Sequence, residues 1–104
     1  MKICYTIYKK SLEETMNIEY TVQIWKECNQ YIAHATPLDV VSSGPTPEDA
    51  RNALKEAVHL FLDTVKEMGT LEEVLDECGY ELTGNNWVSP SWVAIEKQST
   101  AFGI

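Results

Sequence analysis

The stretch from Gly44 to Gly69, GPTPEDARNALKEAVHLFLDTVKEMG, constrains this chain more than any other. Thr46 stands where a helix N-cap belongs, and Pro47 takes the first helical position, where its missing N–H does no harm. Asp49, three residues after Thr46, suits a capping-box-like return bond, and Glu48 and Asp49 both complement the positive end of a helix. Ala50, Ala53, Leu54, Ala57, Val58, Phe61, Val65 and Met68 then recur at three- and four-residue spacing, the mark of one apolar stripe. Gly69 ends it. Such a helix has to lie on something, and the rest of the chain must supply that surface.

Alternating segments supply it. Residues 2–9 (KICYTIYK) place Ile3, Tyr5 and Ile7 on one side, and Ile18, Tyr20, Val22 and Ile24 do the same within residues 18–25. A polar break, KECN, separates the second of these from YIAHA at 31–35, so 18–36 reads as a hairpin. Pro37 interrupts it, residues 40–43 (VVSS) form a short third strand, and Gly44-Pro45 closes that strand. After Gly69, Thr70 is the expected cap of a second helix whose stripe is Leu71, Val74, Leu75 and Cys78 and whose stop is Gly79. TGNNW at 83–87 reads as a loop, and residues 92–102 as a closing strand. The predicted order is β-β-β-α-α-β. It describes an α+β fold, a three- to four-stranded, mainly antiparallel sheet with helices on one face. Residues 1–15 are an extension or extra edge strand, and 16–104 form the single domain, with Met16 a candidate for its first residue.

A chain of 104 residues holds one domain, and burying roughly two-thirds of its unfolded surface gives it a thin core. A hydrophobic content of 44% with 23% charged residues is that of a globular protein. The longest apolar run is the four residues from Trp92 to Ile95, which excludes a membrane-spanning helix, and Met1-Lys2 does not open a signal peptide. A cytoplasmic location is the default expectation. Cys4, Cys28 and Cys78 are widely spaced and odd in number, which points to free thiols rather than a disulfide framework.

The net charge of −8 is concentrated. Between residues 48 and 81 lie Glu48, Asp49, Glu56, Asp63, Glu67, Glu72, Glu73, Asp76, Glu77 and Glu81, against only Arg51, Lys55 and Lys66. Such a surface repels phosphate backbones and attracts basic partners. Direct nucleic-acid binding is therefore not expected, although Trp25 and Tyr31 are aromatic residues on strands.

Catalytic chemistry finds little support. Cys28 and His34 would need an orienting third group and an oxyanion site, and neither is signalled. His59 reads as a helix-flank residue, and two histidines with scattered cysteines make no zinc pattern. Glu72, Glu73, Asp76 and Glu77 include i,i+3 and i,i+4 pairs, which read as a solvated helix face and as the candidate partner-binding acids. No single glycine belongs to a phosphate loop. No enzyme activity, metal or cofactor is expected.

The series EYTVQIW, YIAHA and VVSSGPTPEDARNALKEAVHLFL resembles the N-terminal domain of HicB-type antitoxins. Gly44, Thr46, Pro47, Glu48 and Ala50 carry the family's Gly-x-Thr-Pro-Glu-x-Ala stretch. Residues 69–102 are similar to the solitary HicB-like proteins that stop after one domain, so the likeness covers about residues 17–102. It implies a small α+β domain of partial RNase H shape without a catalytic cluster, and assembly into dimers or higher oligomers. It also implies neutralisation of a small basic HicA-type mRNA interferase. The DNA-binding domain of full-length antitoxins has no counterpart in these residues, so operator binding is not expected. The competing expectation is a stand-alone oligomeric regulatory or ligand-sensing domain without a toxin partner.

Overall fold

The computed structural model describes residues 15–104. The strand expected at residues 2–9, and all but the last residue of the 1–15 segment, lie outside the described residues. The element order is β1 (Asn17–Ile18), β2 (Thr21–Glu27), β3 (Gln30–Thr36), β4 (Val40–Gly44), α1 (Pro47–Glu67), α2 (Leu71–Glu77), β5 (Glu81–Thr83) and β6 (Asn86–Val88). The fold is α+β.

The strands divide into two three-stranded sheets rather than the single sheet expected. The first is an antiparallel meander, β2-β3-β4, in which Val22, Ala35 and Val40 stand side by side, as do Ile24, Ala33 and Ser42. The second has the order β1-β6-β5, with β1 parallel to β6 and β5 antiparallel to it. The alternating run 18–25 is thus broken at Glu19-Tyr20, and its two parts serve different sheets.

Helix α1 lies on one face of the meander. Ala33, Ala35 and Ala50 have no exposed surface, and Leu54 and Val58 are nearly as deep. Small residues at the crossing let the helix approach closely. A Cβ on Gly44 would stand 2.8 Å from the Ala50 amide nitrogen, so this glycine is needed for space. Leu75 of α2, Tyr80 and Trp87 extend the same core toward the second sheet, and the Tyr80 hydroxyl donates to the Glu19 carbonyl.

The helix start follows its sequence signals in part. Thr46 has extended backbone, and its hydroxyl oxygen accepts from the Asp49 N–H at 3.0 Å. The return bond from Asp49 is absent among the described residues, as its carboxylate is one methylene shorter than the glutamate of a full capping box. Thr70 occupies the N-cap position of α2 but does not cap it with its side chain. Its hydroxyl instead turns back to the Val65 carbonyl at 3.4 Å, serving the free end of α1. Met68, expected in the stripe, is the C-cap of α1 and 67% exposed, because the helix has already run past the sheet.

The C-terminal region differs most from expectation. The supposed loop around TGNNW is the β5-β6 hairpin, with Gly84-Asn85 as a two-residue turn. Gly84 has φ 63°, the positive value that a type II′ turn requires at its first loop residue. Trp87 from this hairpin is 5% exposed and anchors it. The strand expected at 92–102 is absent: residues 94–104 belong to no helix or strand. They carry strand-forming side chains with no ladder beside them among the described residues.

Candidate functional site

The acidic surface is built on the outward sides of α1 and α2. Because α1 gives its stripe to the sheet, its polar positions turn to solvent, and all ten acids between residues 48 and 81 are exposed. Compensation is sparse among the described residues. Arg51 reaches Glu48 at 3.4 Å, and the His59 ring lies 3.4 Å from Asp63. The other eight acids have no cationic side chain at ion-pair distance among the described residues. Glu72, Glu73, Asp76 and Glu77 are exposed together on the two turns of α2. No group of three or more His, Cys, Asp or Glu residues is placed to hold a metal ion, among the described residues.

The opposite face of the meander is a second surface. It carries Gln23, Trp25, Ile32, His34, Val41 and Ser43, with Trp25 43% and Val41 55% exposed. Its polar centre is His34, whose Nε2 lies 2.7 Å from the Asp39 carboxylate and whose Nδ1 lies 3.4 Å from Gln23 Oε1. Trp25 stands edge-on to the His34 ring at 6.4 Å and donates from Nε1 to Glu27. Sequence reasoning missed this group. Asp39 reaches back across a turn in which its own φ is 63°, and only the spacing His-x4-Asp around a proline hints at it.

The same geometry separates Cys28 from His34. Cys28 sits in the β2-β3 turn, whereas His34 pairs with Gln23, five positions back along β2. That is roughly 16 Å of strand, too far for a nucleophile and its base. Cys78 is half-buried, and burial pushes its thiol up, with the nearby charges of Glu77 and Asp39 adding to the effect. A thiol held protonated is a poor nucleophile. Of the two aromatic candidates for base stacking, Trp25 lies on the open face and Tyr31 on the helix side, where Lys26 stands 5.8 Å above its ring.

A cleft of about 180 Å³ separates the end of β3 from the segment after β6, lined by Thr36, Pro37, Ser89, Pro90, Ser91 and Trp92. Glu19 ties that segment down by accepting from the Ser89 amide at 3.2 Å and the Ser89 hydroxyl at 2.8 Å. No helix among the described residues is long and apolar enough to cross a membrane. A scan of protein-family models and searches of curated proteins and solved structures found no match to this chain.

Proposed function

We propose that this chain is a HicB-like, antitoxin-type interaction protein that binds and neutralises a small basic mRNA interferase of the HicA type. The observation that carries the reading is the exposed acidic surface of α1 and α2, largely uncompensated among the described residues, with Glu72, Glu73, Asp76 and Glu77 as its densest part. Unpaired acids on a rigid helical surface attract and orient a basic protein, and they repel RNA that competes for the same basic partner. The α+β framework with a capped helix over an antiparallel meander is in keeping with the HicB-type domain. Inhibition on this reading is coverage of the partner's RNA-binding surface and requires no catalytic group from this chain.

The test is capture of the tagged chain's partner from its own cell extract at low salt, followed by an RNA-cleavage assay. The expected result is a stoichiometric small basic protein, released by salt, whose RNA cleavage stops when this chain is added. Replacing Glu72, Glu73, Asp76 and Glu77 by lysine should slow association by on the order of 10- to 1,000-fold. Unchanged binding by that variant would remove the acidic surface from the reading. The second reading, a stand-alone oligomeric regulatory domain, is favoured by the exposed C-terminal segment, and recovery of the protein alone would select it.

A further inference from the structure

Residues 93–104 form an exposed arm that belongs to neither sheet among the described residues. Val93 is 97% exposed, Ile95 64% and Phe102 83%. Among the described residues the last side-chain tie to the body is Trp92, whose Nε1 donates to Thr21 Oγ1 at 2.9 Å. Beyond it the one side-chain hydrogen bond among the described residues, Gln98 to Glu96, is internal to the arm. The radius of gyration is 17.9 Å, against about 13 Å for a compact chain of this length, and the long axis reaches 69 Å. Val93, Ile95, Thr100, Phe102 and Ile104 are residues that strands favour, yet the backbone around them has no ladder among the described residues.

The body carries the complementary defect. Strand β2 is an edge of the meander, seven residues long, with an unbroken register against β3 and nothing paired to its other side among the described residues. It has no proline and no bulge, the devices that blunt an open edge, and its charges are confined to Lys26-Glu27 at one end. Val22 and Trp25 are 38% and 43% exposed along it. The arm leaves the body beside Thr21, where this edge begins, but does not run along it.

We propose that residues 93–102 add as a strand to the β2 edge of a second copy of this chain, each subunit giving its arm to the other. The exchange is isologous and closes on a dimer. Ten extended residues span roughly 33 Å, enough to cover the roughly 23 Å of a seven-residue strand. Charge favours the same occupant. Within residues 92–104 the side chains of Glu96 and Lys97 cancel, so the arm can approach a copy of this acidic chain without side-chain repulsion. Backbone hydrogen bonds would supply affinity, and Val93, Ile95 and Phe102 would be withdrawn from water.

The exchange is tested by light scattering on the full chain at tens of micromolar, with hydrogen exchange read residue by residue. The expected result is a dimer in which amides of 93–102 and the outward amides of β2 exchange slowly. A chain ending at Ser91 should be monomeric. A second variant, Ile95→Lys with Phe102→Lys, alters only exposed side chains and should also be monomeric while keeping the body's exchange protection. A monomeric full chain, a dimer that survives either variant, or slow exchange along β4 instead of β2 would overturn the proposal. The proposal does not depend on a basic partner, and none of these readouts uses one.

Discussion

Replacing Gly44 by alanine puts a methyl carbon 2.8 Å from the Ala50 nitrogen and the Asp49 Cβ, and 2.9 Å from the Asp49 carbonyl carbon. Carbon contacts settle at about 3.5–4.0 Å, so the first turn of α1 must lift by roughly 0.6–1.2 Å. Two of these three neighbours are backbone atoms of the helix, and no rotamer change relieves them. The lift also loosens Ala50 and Leu54, which have 0% and 1% exposure against the sheet. Overpacking of this kind costs about 1–3 kcal/mol. A gain of about 0.4–1 kcal/mol opposes it, because alanine restricts the unfolded chain more than glycine does. The centres of the two ranges leave a net loss of about 1.3 kcal/mol, which for a domain of this size lowers the melting midpoint by about 5–10 °C. Urea unfolding of Gly44→Ala beside the parent, followed by circular dichroism, measures it. A variant as stable as the parent would refute the close seating of α1 on β4, and with it the reason given for glycine at this position.

The two helix starts should respond differently to the same change. Thr46→Ala removes an observed cap bond and should cost about 1 kcal/mol, while Thr70→Ala removes only a long bond to Val65 and should cost clearly less. Equal losses in urea unfolding would contradict the cap assignments. Tyr80 is 3% exposed, and its hydroxyl is pushed up to about 12, first by burial and then by Cys78, Glu19 and Tyr20. Its neutral form is thus favoured in the folded state. The contribution is fully present below pH 10, the ordinary tyrosine value, and is lost as pH rises toward 12, removing roughly 2–3 kcal/mol. Urea midpoints between pH 9 and 12 should fall accordingly, and Tyr80→Phe should lack this part of the fall.

Most of α1 was legible because its signals are local: Thr46 and Pro47 at the start, an apolar stripe from Ala50 to Val65, Gly69 at the stop. The β2-β3-β4 meander was legible for the same reason, since alternation needs only neighbours along the chain. The β5-β6 hairpin was missed because three-residue strands are too short to alternate, although Gly-Asn between them is a turn signal in its own right. Residues 92–102 show the opposite failure. Their side chains favour a strand, but a strand exists only with a hydrogen-bonded neighbour, and composition does not say where that neighbour lies. The exposed acids could be located from sequence because the helix period assigns them to the outside. Their sparse compensation among the described residues required the positions of Arg51, His59, Lys55 and Lys66. The His34, Asp39 and Gln23 group depends on strand register and on one turn, neither of which the residue types specify.

The two proposed associations rest on different physics, and the chain keeps them apart. Side-chain charge from residues 48 to 81 makes up nearly all of the net −8, whereas residues 92–104 have balanced side-chain charge. A basic partner held by the helices is drawn in by long-range attraction, which salt screens over about 8–10 Å. Arm exchange is held by backbone hydrogen bonds and apolar contacts, while the charge of two acidic bodies opposes it. Screening therefore weakens the first association and relieves the repulsion in the second. Raising salt from about 0.05 to 0.5 M should release the basic partner while leaving the dimer intact or tightening it. If both associations fell together, the arm would have to be joining the acidic surface rather than the β2 edge, and the charge segregation along the chain would have no role in separating its contacts.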